Sequence, residues 1–408
     1  MSDLQGIWNK WTKKQCSITK KSISKTKNIC YNVLMENRKG AGSMEKKLMP
    51  LAIKLCDTIM ADFGEVLSRK WQYDAGLCLR GFEAVYGETG DKKYFDYIKT
   101  SMDHFVTDEG TIRTYDPQVR NIDHLNNGKN LFYLWHETGE EKYKKAIELL
   151  ASQLDIQPRT PSGTFWHKQI YPNQVWLDGL FMGEPFSAQY ALEMGHPEKF
   201  DDVVMQVTNA EKLTYEPRCG LYAHACDESK EVFWADKSTG RSLNVWGRSV
   251  GWFCMAVVDI LDFLPKTHPD STTLIELFNK AMSNVVKYQD EKGVWYQVMD
   301  NRRSDNYRES TCTCMFAYAL EKGIRKGFLN GMEYRPYLEK AINGILDIFI
   351  KETENRVDIT MGCSVAGLGP AGDLRRNGTL DYYFSEPVRN NDFKGVGPFL
   401  LMAANYTV

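Results

Sequence analysis

Glu88–Tyr94 reads ETGDKKY, and the same pattern returns at Glu137–Tyr143 as ETGEEKY. A looser third copy, Glu193–Phe200, reads EMGHPEKF. In each copy the glycine suits the left-handed residue that ends a helix, and the acidic residues after it favour the start of the next helix. The repeat therefore predicts successive pairs of helices joined by short turns.

Two kinds of helix alternate around these turns. Outer segments place apolar residues on one face only, as at 94, 95, 98, 102 and 105, which is typical of a helix with one side against a core. Inner segments are apolar nearly all round and rich in small residues, which indicates burial on every side. The inner segments are Tyr73–Val85, Asn126–Trp135, Gly179–Met194, Gly251–Leu264, Ser310–Lys322 and Gly395–Asn405.

This alternation predicts an all-α fold, an (α/α)6 barrel of alternating inner and outer helices. An open helical solenoid is the alternative, but it requires polar capping repeats at its ends, and the sequence shows none. Short extended segments are expected where a glycine follows an outer helix, as at Gly110 and Gly163.

The composition is that of a globular protein: of 408 residues, 43% are hydrophobic and 25% are charged, with a net charge of −2. A chain so near neutral lacks the basic surface of a nucleic-acid-binding protein. Its most apolar run, 250–264, contains two aspartates and is too short to span a bilayer. We therefore expect no nucleic acid and no membrane among its partners, and a monomer or weak homo-oligomer.

The N-terminal residues differ from the rest of the chain. Residues 1–44 are rich in Lys, Ser, Thr and Asn and weakly periodic, so we predict an extension, poorly ordered or a short helical arm, before a barrel domain over 45–408. The extension lacks the apolar core of a secretory signal. The ten cysteines are scattered without a Cys-x-x-Cys pair, which favours a reducing compartment, so a cytoplasmic location is expected.

Polar and aromatic residues gather at the starts of the predicted inner helices. In a closed barrel these starts meet at one mouth, so segments far apart in sequence converge on one cleft. The segments are Trp71–Asp74, Asn121–His124, Phe165–Lys168, Gln174–Asp178, His224 and Trp246–Trp252.

Each of these residues also has a plain structural explanation. An aspartate before a helix suits a cap or first turn, which applies to Asp74, Asp123 and Asp178. A lone histidine such as His224 is more often a hydrogen-bonded structural residue, and Trp246 and Trp252 suit a core. Arg248 lies between those two tryptophans, where a guanidinium favours an anion or an aromatic face.

Several classes of enzyme are excluded by missing motifs. The sequence has no metal-ligand spacing, nucleophile elbow, phosphate loop or dinucleotide fingerprint, so we predict no metal and no cofactor. Asp123 and Asp178 fit the carboxylate pair of a glycosidase. Arg248, Lys168 and the histidines point in addition to a substrate that carries a carboxylate.

Taken together and in order, these residues resemble the unsaturated rhamnogalacturonyl hydrolases, glycoside hydrolase family 105. The resemblance extends over residues 45–405 and implies an (α/α)6 barrel, in agreement with the helix pattern. It rests on Trp176–Met182, Trp246–Arg248, Gly251–Trp252, Asp123, His167–Lys168, Gly220–Tyr222, His224, Cys363–Leu368 and Lys394–Gly397.

The resemblance implies an unusual reaction. Family members act on oligosaccharides already cut by pectate-type lyases, whose terminal uronic acid has a C4–C5 double bond. By the match, Asp178 protonates C4 and water adds at C5, after which the hemiketal opens and the glycosidic link breaks. Asp123 matches the second family aspartate, and we expect burial and its carboxylate to raise the pKa of Asp178.

The match also implies which residues bind the unsaturated uronate. We hypothesise that Arg248 and a histidine hold its carboxylate while the tryptophans stack on the ring. The residues are Tyr73, His167, Lys168, His224, Trp246, Arg248 and Trp252. One departure is Ser249-Val250, where family members often have Gly-Asn, and it leaves open the local hydrogen bonding and the preference for the leaving sugar.

Other functions stay open at this point. Within enzymes, the alternatives are a conventional inverting glycosidase and an unsaturated glucuronyl hydrolase acting on glycosaminoglycan or ulvan fragments. Outside enzymes, the alternative is a non-catalytic helical carbohydrate-binding protein. Loss of ultraviolet absorbance from an unsaturated rhamnogalacturonan disaccharide supports the rhamnogalacturonyl hydrolase. Cleavage of saturated substrates favours a conventional glycosidase, and binding without turnover favours the carbohydrate-binding protein.

Overall fold

The computed structural model describes residues 47–407, and residues 49–405 form one compact unit. The extension predicted over 1–44 lies outside the described residues. Helix α1 covers residues 47–63. The later helices are α2 (Tyr73–Thr89), α3 (Lys92–Asp103), α4 (Gly128–Thr138), α5 (Glu141–Ile156), α6 (Leu177–Glu193), α7 (Lys199–Thr214), α8 (Gly247–Ile260), α9 (Ser271–Val285), α10 (Ser310–Arg325), α11 (Gly331–Gly344), α12 (Leu380–Ser385) and α13 (Phe393–Asn405).

Six of these helices form a closed inner ring. α2 packs against α4 and the short 3-10 helix before it, Ile122–Asn127, which packs against α6. The ring continues through α8 and α10 to α13, and α13 packs against α2. Helices α3, α5, α7, α9 and α11 each pack on the inner helix that precedes them. The (α/α)6 barrel is confirmed, and closure between α13 and α2 excludes the open solenoid.

The inner helices follow from their sequences. In α6 and α8 nearly every residue is buried, whereas outer α3 buries five of twelve, among them Tyr94, Ile98 and Met102. The predicted start of α8, Gly251, is four residues too late, because the helix begins at Gly247. Its first turn is polar, and the Ser249 hydroxyl donates to the Trp246 carbonyl at 2.8 Å, which satisfies that turn locally.

The repeated turns form as predicted. Gly90 and Gly139 have φ of 66° and 69°, a region that favours glycine, and their N–H groups donate to the carbonyls of Tyr86 and Trp135. Each ends an inner helix, and the outer helix begins two residues later.

Short strands line the loops between helices. They pair antiparallel as β1 (Gln174–Trp176) with β4 (Ala225–Asp227), β2 (Tyr215–Glu216) with β3 (Leu221–Tyr222), β5 (Ile350–Glu352) with β6 (Val357–Ile359), and β7 (Gly362–Cys363) with β8 (Val388–Arg389). The register of β1 and β4 sets Trp176 opposite Ala225. This pairing places Leu177, the residue before Asp178, beside His224.

Across residues 47–407, none of the helices combines the length and the apolar character that crossing a bilayer requires. The cysteines described there are free thiols. The cytoplasmic location stays a prediction.

Candidate active site

The site residues predicted from the sequence lie at or near the starts of the inner helices. Asp178 lies in the first turn of α6, Arg248 in the first turn of α8, and Tyr73 opens α2. Asp123 lies in the 3-10 helix before α4. His224 lies in the loop between β3 and β4, beside the start of α6, since its carbonyl accepts from the Leu177 N–H at 3.3 Å.

Asp178 faces a buried histidine rather than capping its helix. His224 is fully buried, and its Nε2 lies 3.4 Å from Asp178 Oδ2. Both atoms are buried without a closer partner. Such long contacts are common in catalytic sites without substrate, because these hydrogen bonds shorten when the substrate binds. By contrast, Asp74 lies in the first turn of α2 and accepts from the neighbouring Ala75 N–H at 3.0 Å, so the explanation as a first-turn acid suits Asp74.

Asp123 is paired with Lys168. Lys168 Nζ lies 2.6 Å from Asp123 Oδ2, and His167 Nε2 lies 3.5 Å from Asp123 Oδ1. Burial raises the pKa of Asp123, but Lys168 and His167 outweigh it and hold the pKa below the ordinary value. The Lys168 ammonium therefore neutralises the Asp123 carboxylate, and the expected contact of Lys168 with substrate stays a prediction.

His167 is held in place by its neighbours. Its ring stacks on Trp176 at 4.7 Å, and a Cβ at Gly179 would lie 3.0 Å from His167 Nδ1, so the small residue after Asp178 lets the ring approach α6. Burial lowers the pKa of His167 to about 4. Its imidazole is therefore neutral at pH 7 and can donate or accept a hydrogen bond.

The predicted rise in the pKa of Asp178 is wrong for the protein without substrate. Burial does raise the pKa, but the close contact with His224 and the positive charges of His224, His167 and Arg248 outweigh it and hold the pKa below the ordinary value. The Asp123 carboxylate does not reverse this, because its charge is balanced by Lys168. A neutral Asp178 therefore requires a change in its surroundings.

Arg248 is a buried cation without a carboxylate partner among residues 47–407. It is 2% exposed and donates to the Cys363 carbonyl and to Thr311 Oγ1, the latter at 3.4 Å. Its Nε is buried and unpaired. Glu309 fixes these acceptors, since Glu309 accepts from the Cys363 N–H and from the Thr311 hydroxyl, each at 2.8 Å. Against the effect of burial, the carboxylates of Asp392 and Glu309 raise the pKa of Arg248 from a distance, but no described carboxylate contacts the guanidinium, so it can still pair with an anion near Asp178.

The two tryptophans pack against protein side chains. Trp246 has the Arg248 guanidinium 4.4 Å from its ring centre and the His224 ring at 4.5 Å. Trp252 stacks on Phe181 at 4.8 Å, and Tyr73 meets it edge-on at 6.2 Å. In this conformation both rings shape the wall behind the charged groups, and their stacking on a sugar stays a prediction. Ser249, which bonds within its own helix turn, contributes no free hydroxyl there.

The sequence analysis missed Tyr383. This residue lies in α12, and its hydroxyl is 2.8 Å from His224 Nδ1. If the Tyr383 hydroxyl accepts a hydrogen bond from Nδ1–H, then Nε2 carries a lone pair and can accept a hydrogen bond from protonated Asp178. If the hydroxyl donates to Nδ1 instead, Nε2 carries the hydrogen and stabilises the Asp178 carboxylate. The tyrosine therefore governs which form of Asp178 the histidine favours. The aromatic run Tyr382–Phe384 was the available signal.

Replacing Tyr383 by Phe is expected to lower kcat about tenfold and to shift the alkaline limb of the kcat profile, because the buried Nδ1 loses its partner and the histidine loses its fixed tautomer. The check is a pH series of kcat and KM on the unsaturated disaccharide that the family resemblance implies. Tyr382→Phe is the matched control, because the Tyr382 hydroxyl donates to the Gly367 carbonyl at 2.5 Å instead. An identical pH profile for Tyr383→Phe and wild type would rule out this role.

The chain matches known proteins over most of its length. The model of Glycosyl Hydrolase Family 88 matches residues 52–408. A family 105 glycoside hydrolase from C. acetobutylicum ATCC 824 is 44% identical and superposes with a TM-score of 0.84, over 87% of this chain and 98% of that one. The unsaturated rhamnogalacturonyl hydrolase YesR of Bacillus subtilis is 26% identical over 72% of this chain and 80% of its own.

A more distant solved structure shares the fold. The unsaturated glucuronyl hydrolase of Bacillus sp. GL1 superposes with a TM-score of 0.65 at 15% identity, over 88% of this chain and 96% of that one. At that identity the likeness concerns the barrel alone.

Proposed function

The chain belongs to the glycoside hydrolases of families 88 and 105, and on that premise we propose that it removes the 4,5-unsaturated uronic acid from the non-reducing end of pectin-derived oligosaccharides. The observation that carries the proposal is the pairing of Asp178 with His224 beside Arg248, a buried cation that lacks a carboxylate partner among the described residues. A uronate supplies that carboxylate.

The reaction is a hydration in which Asp178 acts twice. Protonated Asp178 transfers its proton to C4 while a water oxygen bonds to C5, and the Asp178 carboxylate takes the proton that the water loses. The product is a hemiketal at C5. Its ring opens to a C5 ketone, and the hemiacetal left at C1 releases the leaving sugar with its glycosidic oxygen. One water is consumed and Asp178 returns to its protonated form.

Substrate binding supplies the neutral Asp178 that the free enzyme lacks. The uronate carboxylate adds a negative charge among Arg248, His224 and Asp178, and a like charge at short range raises the pKa of a carboxyl group. The uronate also competes for Arg248, one of the groups that hold the pKa of Asp178 low. Binding and protonation are thus coupled.

This coupling predicts different pH profiles for kcat/KM and kcat. Activity requires protonated Asp178, so each falls as pH rises through the relevant pKa. Because kcat/KM reports the free enzyme, where the pKa is below its ordinary value, it falls from a lower pH than kcat, which reports the complex. Steady-state rates at half-unit steps of pH test this. A kcat limb at or below the kcat/KM limb would contradict it.

The leaving sugar is proposed to be rhamnose. Support comes from the likeness to YesR, which is described as an unsaturated rhamnogalacturonyl hydrolase and is matched over 80% of its length. An activity screen decides: unsaturated disaccharides from rhamnogalacturonan, polygalacturonate, ulvan and chondroitin are compared by loss of ultraviolet absorbance. Highest kcat/KM on the rhamnogalacturonan disaccharide is expected. A preference for the chondroitin disaccharide would assign the chain to glucuronyl substrates instead.

A further inference from the structure

A cavity lies at the opposite end of the barrel from Asp178, where the inner helices finish. Its volume is about 430 Å³, and its lining includes Tyr86 and Glu88 near the end of α2, Glu137 near the end of α4 and Asn405 at the end of α13. A smaller chamber of about 50 Å³ lies next to it, deeper in the barrel, and the two share Arg80, Asp262, Tyr318, Lys322 and Leu401 as lining residues. A water needs about 10–15 Å³ by this measure, so the chamber has room for a small polyatomic group.

The chamber contains a buried lysine without an acidic partner. Lys129 lines it, is 5% exposed, and has its ammonium 3.7 Å from the centre of the Phe181 ring. Among residues 47–407 no carboxylate lies within salt-bridge distance of this ammonium, and no hydrogen bond satisfies it. A buried charge is normally paired, because its desolvation costs several kcal/mol.

The other cations of the chamber already have partners. Arg80 pairs with Glu83 one helical turn along α2. Lys322 lies 2.5 Å from Asp259 and 2.6 Å from Asp262. The Tyr318 hydroxyl donates to Asp259 at 2.7 Å. These acidic groups therefore pair with other cations. Among the described residues, Lys129 is the cation of the chamber that has no acidic partner.

We propose that the inner chamber is a binding site for the carboxylate of a small organic acid, held by Lys129, with the rest of the acid directed toward the outer cavity. The walls suit such a ligand. Leu77, Phe181 and Pro185 are apolar and accept a short hydrocarbon segment, whereas Gln189 and Tyr318 are polar. The site is separate from the uronate site, because the Phe181 ring lies between Lys129, 3.7 Å from its centre, and Trp252, which stacks on it at 4.8 Å.

The protonation of Lys129 makes this binding sensitive to pH. Burial lowers the pKa of Lys129 to about 7, with Asp259 opposing and Arg80 and Lys322 adding to that effect. The titratable groups facing it are Arg80 on α2, Asp259 on α8, Asp262 after α8, and Tyr318 and Lys322 on α10. Only the ammonium form attracts a carboxylate, so affinity declines as pH rises through 7.

The test is calorimetric titration of the full-length protein with sodium acetate, and with acetamide as the neutral molecule of similar shape. Acetate is expected to bind about 30-fold more tightly at pH 6 than at pH 8.5, the ratio of protonated fractions for a pKa of about 7, while acetamide shows no pH dependence. Equal binding of acetate and acetamide would refute the proposal.

Variants locate the site. Lys129→Met is expected to weaken acetate binding at least tenfold at pH 6. Lys142→Met is the matched control, since Lys142 pairs with Asp103 at 2.9 Å and does not line the cavity. Unchanged affinity in Lys129→Met would place acetate elsewhere, for example on Arg248, and contradict the proposal. If Lys129→Met does not fold, a crystal structure in acetate at pH 6 decides between a carboxylate on Lys129 and water alone.

Discussion

Asp178→Asn is expected to lower kcat by about four orders of magnitude. A positioned general acid or base contributes about 10²–10⁴-fold, and the proposed mechanism gives Asp178 both roles in succession, so a loss near the upper limit is expected. The amide preserves the shape of the buried side chain but has no acidic proton for C4. The measurement is loss of ultraviolet absorbance from the unsaturated rhamnogalacturonan disaccharide, with substrate above KM.

Asp74→Asn provides the matched control for that loss. Asp74 occupies the corresponding first turn of α2 but accepts a hydrogen bond from Ala75 N–H and has no histidine within ion-pair distance among the described residues. Its replacement is expected to change kcat less than tenfold. Comparable losses in both variants would show that the effect reflects damage to the barrel mouth rather than removal of a proton donor.

Arg248→Met is expected to lower kcat/KM by about 30-fold to 4,000-fold. Removing one partner of a buried charge pair costs about 2–5 kcal/mol, and each 1.4 kcal/mol is a factor of ten. Arg248 is expected to attract the substrate carboxylate, so a large part of the loss is expected in KM. Full steady-state curves for wild type and variant measure both parameters.

Two comparisons separate binding from folding in that experiment. Arg248→Lys retains the charge without the planar fork and is expected to recover part of the lost kcat/KM. Arg159→Met removes a surface arginine that pairs with Asp202 at 2.7 Å and is expected to leave kcat/KM unchanged. A normal KM in folded Arg248→Met would refute the assignment of the carboxylate to this residue.

The barrel was predictable because its signals are local. The turns at Gly90 and Gly139 have a backbone conformation that favours glycine, and the all-round burial of α6 and α8 can be read from consecutive residues. The placement of Asp178, Asp123 and Arg248 at helix starts follows from the same pattern. Closure of the ring then brings these starts together.

The electrostatics of the site were not predictable in the same way. Lys168 follows His167 directly in the sequence, but nothing local indicates that its ammonium turns to Asp123 and cancels the charge expected to raise the pKa of Asp178. Tyr383 contacts His224 across 159 residues of chain. Both contacts depend on which loops are neighbours in the folded barrel, and the periodicity of the helices does not predict the arrangement of the loops.

Deuterium incorporation tests the proposed hydration of the double bond most directly. The reaction is run in D₂O, and the released uronic acid is examined by NMR at early times, before slow exchange beside the C5 ketone. Proton transfer from Asp178 predicts one deuterium at C4, in a single stereochemical position, and no turnover of the matched saturated disaccharide. Cleavage of the saturated disaccharide, or a product without deuterium at C4, would contradict it.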